Sequence, residues 1–383
     1  MLPDYATLKL VWWAIIGLLL AAFALTEGFG LGSGMLLPLA GKTDEQRRIV
    51  LNTYGPVAEG NQTWLIATGG CMFAAWPLAY AAILSSLYAL LMPALLALLL
   101  RPVALHYRSK RTDPRWRSTW DRCLCGASLL ATLLLGIAAG NLPLGLPFRF
   151  NAAMGVLPAA EAGGLTGLLH PYALLNGALA VALLCMHGAA WLQWKTDGVV
   201  AHRARKLAMA AALLSLLLFA AAGLWLALGV DGYRIIVMPD TGVAFLPTLK
   251  MVERAAGAWM DNYRHWPLAC AVPAAALAAT GLVIGCSARR RALAALLSSG
   301  LVLAAVLASA GIAMFPFVAP SSLAPDAGLT IWDAAASHNS LALLFWAALV
   351  LLPLVGAYSC WAYAILRGKV TAAYIREHRH SAY

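Results

Sequence analysis

The chain has 383 residues, of which 62% are hydrophobic and only 11% charged, and its mean hydropathy is +0.77. Soluble domains carry roughly 25% charged residues, so this composition excludes a soluble globular protein and points to a polytopic membrane protein. The formal charge of +11 is no signal for nucleic acid, because the lysines and arginines fall in short loops between apolar runs, where they set topology and meet anionic membrane lipids.

In chain order, hydropathy predicts spans near 9–37, 47–76, 78–100, 119–140, 165–193, 205–228, 265–286, 292–318 and 338–366. The first run lacks a basic leader and a small-residue cleavage site and is long enough to span, so it reads as a retained helix. One helix over 61–100 would run about 60 Å, twice the ~30 Å hydrocarbon core. Trp76-Pro77 also breaks that run where a turn is needed, so two spans fit better. With nine spans and an outer N-terminus, 21 of the 27 lysines and arginines lie inside; Lys9, Arg149, Arg234, Lys250, Arg254 and Arg264 lie outside. Eight spans give 19 against 8, so the positive-inside rule favours nine. The outer loops, about 141–164 and 229–264, are rich in Gly, Pro and polar residues and too small to fold alone. The expectation is an all-α polytopic membrane protein, with 1–383 forming a single integral membrane domain.

Two of the sixteen acidic residues lie well inside these spans: Glu27 in the first and Glu59 in the second. A charge at bilayer depth is costly unless paired or neutralised, so both are functional-site candidates, read together as a buried acidic pair. Glu27 opens Glu27-Gly28-Phe29-Gly30-Leu31-Gly32-Ser33-Gly34, where Gly28/Gly32 and Gly30/Gly34 are spaced i,i+4 and leave bare backbone for close helix packing. It is not a dinucleotide fingerprint, because Ser33 stands where the third glycine belongs and no strand precedes it. Glu59 sits in Tyr54-Gly55-Pro56-Val57-Ala58-Glu59-Gly60-Asn61-Gln62-Thr63-Trp64, which also holds a Gly-Pro pair expected to disturb a helix. Arg101, at the inner end of the third span, either turns inward toward the acids or snorkels to the headgroups.

Metal chemistry finds little support. His170 and His187 lie 17 residues apart, about 25 Å along one helix, and no H-x-x-x-H or H-E-x-x-H occurs. His202, His378 and His380 lie in basic inner segments, and His265 and His338 at outer boundaries. The seven cysteines read as small apolar packing residues, with Cys123 and Cys125 forming only C-x-C. Pro316 and Pro320 end the eighth span, and most of the fourteen tryptophans sit near span ends as an aromatic belt.

From Ile15 to Lys110, E-G-F-x-L-G-x-G-M, T-D-E-x-R-R, G-P-x-x-E-G-N-Q-x-W-L, G-G-x-x-F-A-A-W-P, L-x-R-P-V and Y-R-S-K resemble subunit II of the cytochrome bd quinol oxidases. R-W-R-x-x-W-D (115–121), G-N-L-x-x-G-x-P-F (140–148), D-G-Y (231–233) and G-A-W-M (257–260) continue the resemblance. A-G-I-A-M-F-P-F-V-x-P-S-S (310–322), L-T-x-W-D (329–333) and a terminal H-S-x-Y carry it to the end of the chain.

The resemblance implies two four-helix bundles plus a peripheral helix, paired pseudo-symmetrically with a larger subunit I in the bacterial cytoplasmic (inner) membrane. Subunit I would hold two b-type haems, a haem d and the quinol-oxidising loop, and this chain no haem. Some members carry a structurally bound quinone on subunit II or a small single-span accessory subunit. Matched by position, Glu27, Glu59 and Arg101 fall on the family's proton route and Trp64 on its oxygen entry. This sequence departs from the family at several of these positions. Gly30 replaces the second aspartate of D-G-F-D, Ala58 the tryptophan before the second-span acid, and His106 the acid of R-P-V-x-F-[DE]; Glu27 and Glu59 stand in place of aspartates. Either the chain uses fewer carboxylates or it diverges in proton supply or in haem and quinone use. A secondary transporter with midplane acids is the alternative on composition.

Overall fold

The computed structural model describes residues 3–158 and 164–377; His378, His380 and the terminal H-S-x-Y lie outside them. Among the described residues the long helices are α1 (Tyr5–Met35), α2 (Asp44–Ala75), the pair α3 (Pro77–Ser86) and α4 (Tyr88–Arg108), and α5 (Pro114–Asn141). They continue as α6 (Pro171–Lys195), α7 (Gly198–Gly229), α8 (Ala271–Ala288), α9 (Ala292–Met314) and α10 (His338–Ile365). Side-chain caps set several starts. The Asp4 carboxylate accepts from Thr7 N at 3.1 Å, the Thr43 hydroxyl from Gln46 N and the Asp113 carboxylate from Arg115 N. Asp44 and Glu45 add acidic charge to the first turn of α2, where the helix dipole favours it.

Eight of these helices are long and apolar enough to cross a membrane by composition. The 32-residue α2 is as long as any of them, but Asp44, Glu45, Arg47, Arg48, Glu59, Asn61 and Gln62 dilute its apolarity. The chain ends decide its status. The N-terminus lies by the loop before α10, where His338 Nε2 meets Pro3 O at 3.2 Å and Tyr5 donates to Ala336 O at 2.8 Å. The C-terminal segment lies at the other end, with Val370 N donating to Lys195 O and Arg376 pairing with Glu45. Termini at opposite ends require an odd number of traverses, and α2 makes the ninth.

Helices α1, α2, α4 and α5 pack as one bundle and α6 to α9 as a second, while α10 rests on α1 and α2 at the periphery. The bundles meet where α1 and α5 both pack on α6. A Cβ on Gly32 would overlap the Leu184 carbonyl oxygen, and one on Gly188 would overlap the backbone of Gly32 and Ser33. Only two glycines allow that approach.

Several boundaries differ from expectation. The second and third spans do part at Trp76, but α4 continues through Pro93 and Pro102 to Arg108, two turns beyond residue 100. The third span is also broken at Leu87 into α3 and α4. Gly55-Pro56 does not interrupt α2: Pro56 is exposed, so its ring displaces no neighbouring helix. The eighth span stops at Met314 instead of 318.

The outer loops contain three antiparallel strand pairs: β1 (Phe148–Phe150) with β2 (Val156–Pro158), β3 (Asp231–Val237) with β4 (Met251–Ala256), and β5 (Phe317–Ala319) with β6 (Leu329–Thr330). The β-branched run Ile235-Ile236-Val237 suits β3.

Ion pairs clasp both ends. On the inner side the buried Arg108 reaches Asp121 at 2.5 Å and Asp44 at 2.8 Å, while Arg117 meets Asp44 at 2.6 Å and Arg47 meets Asp121 at 3.1 Å. On the outer side Lys250 pairs with the buried Asp333 at 2.8 Å. Burial pulls the Lys250 ammonium below its ordinary value and pushes the Asp333 carboxyl above, and their mutual attraction opposes both shifts. Lys9, on α1, donates to the carbonyls of Thr241 and Val243 and so ties the first helix to the same cap.

Reporter fusions should therefore read an inner location at Lys42 and at Arg111 and an outer location at the N-terminus. An outer reading at Lys42 would leave eight traverses.

Candidate functional site

Residues three, four and seven apart share a helix face, and α1 uses this to bare two faces at once. Gly28 and Gly32 look toward α6, where a Cβ on Gly28 would press Leu184 and approach His187. Glu27, Gly30 and Gly34 look instead toward α4, α5 and Tyr54. The glycines thus open two faces of the helix, and Gly30 packs against side chains where Gly32 packs against backbone.

Into the second face projects Arg101. Its Nη1 forms an ion pair with Glu27 Oε1, and both side chains are sealed, at 1% and 0% exposure. Arg101 Nε donates to the Ser128 hydroxyl at 3.0 Å. Glu27 Oε2, Arg101 Nη2 and the buried Tyr54 hydroxyl have no hydrogen-bond partner among the described residues. The first two gather round Gly30, whose Cβ would lie 3.4 Å from Arg101 Nη2, 3.4 Å from Glu27 Oε2 and 3.6 Å from Tyr54 Cδ2, while the Tyr54 hydroxyl lies 3.7 Å from where a Cβ on Gly34 would stand. Of the two readings of Arg101, the inward one is observed, because α4 carries the residue two turns inside its end.

Glu59 is elsewhere. It is exposed on α2 in a stripe with Pro56, Thr63, Ile66, Gly70 and Phe73, and it forms no ion pair among the described residues. The acids therefore do not form a buried pair inside this chain. The opposite face of α2 is the one that packs inward, through Tyr54, Ala58 and Asn61. There Asn61 Nδ2 donates to Thr26 O at 2.9 Å and accepts at Oδ1 from the Tyr363 hydroxyl of α10 at 2.5 Å. Trp64 is half-buried one turn beyond Gly60.

The histidines are engaged. His187 is buried with Nδ1 2.8 Å from Ser299 Oγ and Nε2 3.0 Å from Leu25 O, and His170 caps α6 by accepting from Tyr172 N at 3.2 Å. No cluster of three or more His, Cys, Asp or Glu residues able to hold a metal occurs among the described residues.

Sequence reasoning missed Ser128, Tyr54 and Tyr363 as partners. For Ser128 a signal existed, since Asp121, Leu124, Ser128 and Ala131 fall at one helical spacing on the buried face of α5. Tyr363 had none, lying 302 residues from Asn61.

Residues 8–366 match the family described as cytochrome bd terminal oxidase subunit II. The chain belongs to that family. It is 40% identical over 380 residues, 99% of this chain and all of the other, to "Cytochrome bd-I ubiquinol oxidase subunit 2" of Escherichia coli strain K12. It is 38% identical over the same length to "Probable cytochrome oxidase subunit 2" of Haemophilus influenzae. The bd oxidase structure from Geobacillus thermodenitrificans superposes with a TM-score of 0.69 over 94% of this chain and 99% of that one, at 17% identity. At that identity the superposition speaks for the fold alone. The chain is a multi-pass membrane subunit of an oxidase, and the transporter reading falls away.

Breaking a buried pair strands the remaining charge, which costs about 3–5 kcal/mol. Arg101→Met should therefore lower the thermal midpoint and the yield of the oxidase markedly. Adding Glu27→Gln to it should restore most of the loss, because the double variant buries no net charge.

Proposed function

We propose that this chain is the haem-free second subunit of a quinol:oxygen oxidoreductase in the bacterial cytoplasmic membrane, and that it scaffolds a haem-bearing subunit I while helping to supply protons and oxygen. The relatives named as ubiquinol oxidase subunits support ubiquinol as the electron donor of the complex. One observation carries the proton role: an ion pair, Glu27 with Arg101, is held at membrane depth by a neutral Ser128, while its own Glu27 Oε2 and Arg101 Nη2 and the buried Tyr54 hydroxyl have no hydrogen-bond partner among the described residues. Stability alone gives weak reason to keep such a pair, since well-packed apolar residues often serve as well.

Glu59 complements it from the other face of α2. An exposed carboxylate on a membrane helix needs a protein neighbour or water, because lipid offers neither hydrogen bonds nor counter-charge. The stripe Pro56–Glu59–Thr63 is accordingly assigned to the contact with subunit I, with Glu59 delivering protons there and half-buried Trp64 flanking an apolar oxygen passage. Two b-type haems and haem d in subunit I supply the electron transfer and oxygen reduction. In this chain the ring nitrogens of His187 already have partners and His170 caps a helix, so neither fits an axial ligand.

The experiment is turnover of the purified complex, measured together with its haem content. Glu59→Gln keeps size and hydrogen bonding but removes the titratable proton, so quinol oxidation should slow several-fold with haem content unchanged. Glu59→Asp should retain most activity. Full activity in a correctly assembled Glu59→Gln complex would reduce Glu59 to an interface residue. Gly30→Asp should assemble, since a Cβ there meets nothing closer than 3.4 Å, and its carboxylate would reach Arg101 Nη2. His170→Ala and His187→Ala should keep every haem band; loss of one band from an assembled complex would show a ligand in this chain.

A further inference from the structure

We propose that the inner end of α10 carries a binding site for a phosphate-class anion, and that the anion is the headgroup of an acidic phospholipid. A cavity of about 280 Å³ opens there between α2, α6 and α10. Lys195, Arg367 and Lys369 line it together with Trp191 and Tyr363, and no acidic side chain is among its walls.

The site is built, not a chance gathering of surface cations. Lys195 is buried in the last turn of α6; its Nζ donates to Leu366 O at 2.5 Å and lies 5.5 Å and 5.2 Å from the ring centroids of Trp191 and Trp194. Its own carbonyl accepts from Val370 N at 2.8 Å. These two bonds bracket Arg367-Gly368-Lys369 and hold that turn over the cavity. Gly368 has φ +116°, a conformation that side-chain-bearing residues rarely adopt, so the reversal that sets both cations at the rim depends on it. Trp191 stacks on Phe29 with centroids 3.9 Å apart, and its buried indole N–H has no partner among the described residues.

Three like charges converging on one cavity repel one another, and an anion offsets that repulsion while accepting their hydrogen bonds. The surroundings favour a lipid as its source. Leu354, Tyr358, Trp361 and Ile365 are all exposed on α10 and spaced i, i+4, i+7 and i+11, which draws one apolar track along the helix to the cavity mouth. Acyl chains would lie on that track, with aromatic side chains at headgroup level and cations beyond them.

The test uses the intact oxidase complex extracted in mild detergent, with retained lipid counted by native mass spectrometry. Arg367→Gln/Lys369→Gln removes two exposed cations from the rim. Arg289→Gln/Arg291→Gln removes the same charge from another inner loop and serves as the control. Wild type and control should retain one acidic phospholipid whose occupancy falls about tenfold in the rim variant. Delipidated wild type should take up phosphatidylglycerol but not phosphatidylcholine, and millimolar inorganic phosphate should not displace it. Displacement by inorganic phosphate would support the anion site and assign its source to the free ion. Equal retention by wild type and rim variant, equal loss in the control, or equal uptake of phosphatidylcholine would overturn the proposal. Should the double variant assemble poorly, Lys369→Gln alone carries the same comparison.

Discussion

A single ion pair sets the terms for the first bundle. Glu27 and Arg101 are both cut off from solvent, and neither could stay there alone, because an unpaired charge in a low-dielectric interior is penalised by several kcal/mol. Their meeting requires α1 and α4 to approach with little bulk between them. Gly30 gives Arg101 room beside the helix, and Ser128 on α5 accepts its Nε–H. The pairing thus fixes three helices at once, with Asn61 bringing in α2 through the Thr26 carbonyl one residue away.

The same helix binds the two bundles through a different chemistry. Toward α6 it stacks Phe29 on Trp191, and at the Gly32–Gly188 crossing it offers backbone, where no side chain is admitted. One helix therefore presents a polar face and a bare face, offset by a single residue in sequence. Charge selects the first neighbour and steric absence the second. At either end of the molecule the connections are held by ion pairs around Arg108 and Lys250, so the loops that join the helices are tied to the bundles they connect.

The departure at Gly30 gains a physical meaning from this arrangement. The resemblance to the family leads one to expect an aspartate there; here Glu27 Oε2 and Arg101 Nη2 lie beside the position without hydrogen-bond partners among the described residues. Glu27 and Arg101 stand there as a one-to-one pair. His106, where the family pattern also has an acid, is exposed with Nδ1 2.9 Å from Pro102 O, on the other side of α4 from the pair. The two positions thus have separate surroundings.

Apolar run length and the Trp76-Pro77 break located the membrane-length helices in the chain, because hydrophobicity and helix breaking are local to each segment. The motifs from Glu27 to Arg101 likewise carried the family. Which of their residues meet was decided only by tertiary structure. Glu27 and Glu59 look alike in sequence, each an acid in an apolar run, yet helix rotation buries one on Arg101 and turns the other outward. Rotation follows from how neighbouring helices interlock, a property of contacts such as Asn61 with Tyr363 across 302 residues. The cavity at Lys195 has the same origin: Lys195 and the distant pair Arg367 and Lys369 line one cavity only when α6 and α10 end side by side.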